Sequence, residues 1–242
     1  MKQFSMKQYG PWLAIVFMAA AILPACKKSS DSGPQANAQV MLVNASPGDS
    51  TPRNFYFNDT KLNTQSLSYP ANSAYLPLAP GTYSIKVTSA NSINPIAATS
   101  AGLGSGKNYS VFAYDTLLGG KIKVFAVEDN LAAPAANKTK VRFLDLSPVA
   151  VAVDIYANDS LVFANRSYAD NVSDNSKANF ISVNAGTYVV KIRLAGSGAN
   201  ISPLLTLTDN VFVAGKIYTI YAKGTVTGTG VNQLGAGVIA NN

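Results

Sequence analysis

Asp154 lies in an apolar run, Val153-Asp154-Ile155-Tyr156, where a lone carboxylate could act as an acid or hold a cation. A turn-capping role, accepting backbone amides at a strand edge, explains it better. The matching position earlier in the chain is Asn54, and an amide caps as readily as an acid. The segment from Tyr168 to Lys177 gathers Asp170, Asn171, Ser173, Asp174 and Asn175, hard oxygen donors of the type calcium takes. Val172 stands where an EF-hand needs a ligand, and no glutamate closes the loop, so an ordinary polar loop is expected and no metal is assigned. Gly102 to Gly106 and Gly224 to Gly230 are glycine-rich, yet neither ends in Gly-Lys-Ser/Thr before a helix, as a phosphate loop does. Gly106-Lys107 and Gly215-Lys216 precede strands and read as turns.

The rest of the inventory removes whole classes of chemistry. The 242 residues contain no histidine and one cysteine, which excludes a Ser-His-Asp triad, histidine-ligated zinc or haem, an internal disulfide and a Cys-x-x-Cys pair. Glu128 is the one glutamate among 12 acidic residues. No catalytic residue and no cofactor are assigned, and an enzyme is the remote alternative. Sugar capture needs exposed aromatic platforms. The lone tryptophan, Trp12, falls in the leader, so Tyr114 and Tyr221, at outward parity beside Tyr109 and Tyr218, are the candidate ligand contacts. The bland reading of each is a covered strand residue or a contact between modules. Asp115-Thr116-Leu117 and Asp159-Ser160-Leu161 resemble the short Asp-Ser/Thr-apolar pattern at which Bacteroidota attach O-glycans, making Thr116 and Ser160 candidate acceptors.

The N-terminus is basic at Lys2 and Lys7, then uncharged from Trp12 to Ala25, too short a run to cross ~30 Å of hydrocarbon as a helix. That is the layout of a cleaved signal peptide, residues 1–25. Leu23-Pro24-Ala25-Cys26 resembles the lipobox of bacterial lipoproteins, which implies acylation of the Cys26 thiol and a membrane partner reached through two or three acyl chains, one alone binding only marginally. Residues 26–38 are then the acylated cysteine and a flexible Ser/Gly/Pro/Asn tether, reaching up to ~40 Å when extended. The formal net charge is +7, but the lysines are scattered singly without a basic stripe interleaved with aromatics, so nucleic acid is not an expected partner.

Positioning falls to a duplicated unit. VMLVNASP from Val40 matches VRFLDLSP from Val141, NFYFND from Asn54 matches DIYAND from Asp154, PGTYSIKV from Pro80 matches AGTYVVKI from Ala185, and GKNYSVFAY from Gly106 matches GKIYTIYAK from Gly215. Within each copy the apolar period is two: Tyr83, Ile85 and Val87 alternate with polar neighbours, and Ile122, Val124 and Ala126 recur at the same spacing with Lys121 and Lys123 pointing outward, the pattern of strands with one buried face. Short strands separated by Ser-Pro, Asn-Asp and Gly-Lys turns predict an all-β protein: two tandem immunoglobulin-like β-sandwich domains, 39–129 and 139–242, joined by a linker at 130–138.

The string VRFLDLSPVAVAVDIYANDSLVF, with NAGTYVVKIRLAG after it, resembles the repeated domain of bacterial envelope lipoproteins known as domain of unknown function forty-three ninety-seven. The likeness runs over nearly all of 39–242, twice. The second copy keeps Val153, Asp154 and Tyr156, whereas the first has Arg53, Asn54 and Tyr56. The resemblance implies an exported β-sandwich module without an established activity. With the lipobox it implies a Bacteroidota-type lipoprotein anchored at the outer membrane, with the periplasmic and surface faces both open because Lys27 and Lys28 follow the cysteine. The expected role is a non-enzymatic binding or structural module whose partner is a glycan or an envelope protein, with a glycan-binding surface lipoprotein as the alternative. If Thr116 or Ser160 is glycosylated, the intact mass of the native protein exceeds that of the acylated chain; an equal mass removes both sites.

Overall fold

The computed structural model describes residues 1–3, 35–48, 51–115, 121–148, 151–170 and 175–242. All but the first three residues of the signal peptide, Cys26 and most of the tether lie outside the described residues. Pro34–Asn242 forms one compact unit, all-β and built as two sandwich-like halves.

In the first half β1 (Ala38–Asn44), β2 (Arg53–Phe57), β3 (Thr60–Lys61), β4 (Ala71–Leu78), β5 (Gly81–Ser89), β6 (Pro95–Leu103), β7 (Asn108–Tyr114) and β8 (Lys123–Asp129) follow one another. They pair as two sheets, β4-β1-β7-β8 and β3-β2-β5-β6. The second half repeats the plan with β9 (Lys138–Asp145), β10 (Val153–Ala157), β11 (Ser160–Arg166), β12 (Ile181–Asn184), β13 (Gly186–Leu194), β14 (Leu205–Phe212), β15 (Ile217–Lys223) and β16 (Gly235–Ala240), paired as β12-β9-β15-β16 and β11-β10-β13-β14. β1 runs parallel to β7 and β9 parallel to β15. Ala36, placed in the tether by sequence, is already held: its carbonyl accepts from the Gly106 N–H at 3.1 Å and the Ser105 hydroxyl at 3.0 Å.

The alternation read from sequence fills the two sandwich interiors. Val40, Leu42, Phe55, Ile85, Val87, Tyr109, Val111 and Val124 form the first core. Val141, Phe143, Ile155, Val190, Ile192, Tyr218 and Ile220 form the second. A third cluster has no place in a two-face sandwich: Met41, Val43, Phe112, Tyr114 and Phe125 from the outer face of β1, β7 and β8 meet Leu144, Leu146, Tyr221 and Ile239 of the second half. β1, β7, β9 and β15 are therefore apolar on both faces, as strands covered on both sides must be.

Within this seam lies an ion pair. Arg142 Nη2 stands 2.6 Å from Asp129 Oδ1, and both side chains are fully buried. The arginine also donates through Nε to Thr219 Oγ1 at 2.8 Å, and its guanidinium lies 4.4 Å over the Phe180 ring. Asp129 Oδ2 accepts from the Tyr75 hydroxyl at 2.6 Å and the Ser110 hydroxyl at 2.7 Å. Asn241 closes the network, accepting from Thr219 at 2.8 Å and donating to Tyr75 at 3.2 Å. The repeat relates these groups in pairs. Arg142 corresponds to Met41, Thr219 to Ser110 and Asn241 to Asp129, since the latter two sit opposite Ile217 and Asn108 at matching ends of their sheets.

A buried pair costs desolvation, and stranding one member is worse than removing both. Asp129→Asn or Arg142→Met alone should lower unfolding free energy by about 3–5 kcal/mol. The double variant, which gives each half the other's residue, should recover most of that loss in urea titrations. An additive double variant would show the pair contributes nothing to the seam.

Candidate functional site

A departure between the copies opens a cavity of about 490 Å3 in the second half. It lies between the sheets at the side where β11 and β12 are edge strands. Its floor is apolar: Val141, Ile155, Phe163, Val190, Phe212 and Ile220. Its rim carries Lys138, Asn158, Ser160, Ser182 and Asn184, with Ala157, Val162, Val183 and Tyr188 between.

The strand registers explain why the first half is closed here. β2 pairs Phe57 with Thr60, and β10 pairs Ala157 with Ser160, so Ala157 stands where Phe57 stands. Phe57 is buried and packs edge-on against Tyr83, ring centroids 5.7 Å apart. By the same registers Val162 replaces Leu62, and Val183, opposite Thr139, replaces Leu78, opposite Ala38. The tyrosine itself is unchanged in posture: Tyr83 donates to the Ala79 carbonyl at 2.8 Å and Tyr188 to the Asn184 carbonyl at 2.9 Å. Phe163 and Phe212, where the first half has Asn63 and Leu103, become the floor. At the rim, the Lys138 ammonium donates to Asn184 Oδ1 at 2.6 Å, while Lys191 pairs with Asp159 at 2.6 Å.

Tyr114 and Tyr221 are not ligand platforms. They are 2 % and 4 % exposed and belong to the seam, where Tyr114 meets Phe125 edge-on at 5.2 Å and Tyr221 meets Phe112 at 6.3 Å. Their parity does point them away from the sandwich cores, but that face is covered by the other half. Burial pushes both hydroxyls up to about 12, Asp115 adding to the effect at Tyr114. Asp154 caps backbone as expected, accepting the N–H of Asn165 at 2.8 Å and of Gly196 at 2.9 Å; Asn54 receives the Ser66 hydroxyl at 2.7 Å. Ser160 is exposed after a turn in which Asn158 and Asp159 take left-handed φ of 47° and 62°. Thr116 lies outside the described residues, as do Asn171, Ser173 and Asp174 of the polar loop. Asp170 there is engaged by the Ser167 amide and by Lys177, each within 2.9 Å. Among the described residues no cluster of three acidic or cysteine side chains could hold a metal, and no helix is long and apolar enough to cross a membrane.

The sequence reading passed over the cavity because its cause is an absence of side-chain volume. The signal was available, as NFYF against DIYA in the aligned copies. Residues 38–156 match the family described as Domain of unknown function (DUF4397). This part of the chain belongs to that family. The DUF4397 match opens with β1, spans the whole first half and stops within β10, whose Tyr156 is its last residue. No curated protein matches the chain. Among solved structures, a family 26 carbohydrate-binding module from Eubacterium rectale in complex with maltoheptaose is 12% identical, covering 83% of this chain and 96% of its own, at a TM-score of 0.25. The Bacillus anthracis TIE protein is 13% identical over 85% of this chain and 44% of its own, TM-score 0.22. A candidate cell adhesion protein of Bacteroides fragilis is 10% identical over 86% and 98%, TM-score 0.20. These likenesses are too slight to bear on this chain's ligand.

One titratable group stands apart. Burial raises the Asp145 carboxyl from 3.8 to about 7, against the pull of the Ser147 amide and with a contribution from Asp170. Between those two values the native state holds a proton that the unfolded chain releases. Stability from this group is therefore full at acid pH and lost as pH rises to about 7, at up to about 1.4 kcal/mol per unit. Asp145→Asn, which copies Asn44 and its bond to the Ser46 amide, should abolish that slope in urea unfolding between about pH 5 and about pH 8. An unchanged slope would assign it elsewhere.

Proposed function

We propose that the protein is a lipid-anchored, non-enzymatic binding module of the cell envelope, with the open cavity of its second half as the binding site. The carrying observation is the contrast between copies: one sandwich interior is sealed by Phe57, and its duplicate keeps an apolar cavity of about 490 Å3, inside the ~300–1,000 Å3 of small-molecule sites. A duplicated fold that needed only to fill space would repack the gap, since unfilled apolar volume lowers stability. The first sandwich, the sealed one, serves as a rigid mount through the buried seam.

Anchoring rests on the lipobox-like Leu23 to Cys26 and the polar segment after it, which leads into β1 at Ala38. Placement at the outer membrane accords with the envelope lipoproteins that the repeats resemble. The glycan reading loses the two rings it relied on, now inside the seam.

Cells fed an alkyne-tagged fatty acid should label the wild-type chain and not Cys26→Ala, and the variant should leave the membrane fraction. Label retained on Cys26→Ala would overturn the anchor. Digestion of residues 39–242 by a protease added to intact cells would assign the surface side, and digestion only after lysis the periplasmic side.

A further inference from the structure

The chemistry of the cavity narrows what it can take. Its floor is made of Val141, Ile155, Phe163, Val190, Phe212 and Ile220, and none of these side chains offers a hydrogen bond. A hydroxyl-rich ligand pushed to that depth would lose its hydration without compensation. The portion of the ligand that reaches the floor is therefore hydrocarbon. The rim is of the opposite character. Asn158, Ser160, Ser182 and Asn184 are exposed and neutral, and the charge is Lys138, which among the described residues forms no ion pair and donates to an amide oxygen. Asp159, between the rim residues Asn158 and Ser160, is taken by Lys191. An ammonium satisfied only by a neutral amide, at the mouth of an apolar cleft, matches an anionic head on an apolar body.

We infer that this cavity binds a single-chain amphiphile with an anionic head, its hydrocarbon held among Phe163, Tyr188 and Phe212 and its head at Lys138 and Asn184. The inference rests on the cavity being the binding site. Ala157 is the specificity-determining residue, because a phenylalanine there would put into the cleft the ring that Phe57 puts against Tyr83 in the first half.

The test titrates the protein calorimetrically with octanoate, decanoate and octylammonium, each below its micelle concentration, and with 1-octanol below its solubility limit. One site per chain is expected, with decanoate about fifteenfold tighter than octanoate, as two further buried methylenes require. Octanoate should bind more tightly than octylammonium, and Lys138→Gln should weaken octanoate while leaving 1-octanol unchanged. Ala157→Phe should weaken every probe at least tenfold without lowering the thermal midpoint. If that variant fails to fold, Val162→Leu with Val183→Leu narrows the same cleft by copying Leu62 and Leu78. Should 1-octanol bind and Ala157→Phe block it while octanoate shows no advantage over octylammonium, the anionic head is wrong and the site stands. Should no probe saturate, or should the filled variants bind as wild type does, both the ligand and the site fall.

Discussion

Everything in this molecule hangs on a charge pair sealed between two apolar sheets. Arg142 and Asp129 are both fully buried, and neither could be tolerated there singly. The surrounding seam is therefore constrained: Tyr75, Ser110, Thr219 and Asn241 have to lie where they do to satisfy the remaining donors and acceptors. Once those positions are fixed, so is the face of each sheet that the halves present to one another. The two sandwich halves and the segment that joins them lie within one compact unit, Pro34–Asn242. The seam also carries polar crossings at its margins. Tyr168 of the second half donates to Asp115 of the first and lies under Lys123, 4.4 Å from its ammonium. Lys223 donates to Tyr69 of the first half at 2.5 Å, its own pKa lowered by burial.

Duplication explains how such a pair can exist once. In a symmetric dimer of identical chains each group would occur twice about the axis, giving two such pairs in place of one. Joined copies escape that rule, so one carries Arg142 where the other keeps Met41, and one carries Asp129 where the other keeps Asn241. The same freedom let Phe57 and Ala157 diverge. Seam and cavity are two results of one licence, that each copy changes without changing its twin.

Much of the fold was legible because period-two alternation is a direct imprint of a half-buried sheet. Tyr83, Ile85, Val87, Ile122 and Val124 all fall inward as their spacing requires. Asp154 was legible as a cap because Asn54 stood in its place. The seam was written less plainly. In MLV at Met41, VFAY at Val111 and RFLDL at Arg142 the apolar residues run on without alternating, and that loss of period marks a strand covered twice. Tyr114 and Tyr221 were assigned the correct face by parity, and the error lay in taking the outer face of a sheet for the outside of the protein. A cavity leaves no motif at all; it appears only when two homologous positions are compared for volume.

The place where the chain enters the block has mechanical meaning. β1 begins at Ala38, two residues after the Ala36 carbonyl is tied to the Gly106 amide, and it lies between β4 and β7 as an interior strand. A pull from the N-terminal side acts along β1, so the hydrogen bonds of both ladders bear the load together in shear. An edge strand peeled from its end would surrender them one at a time. Tension is thus resisted by the cooperative strength of two ladders, and β1 is the strand best able to serve as a stem under pull.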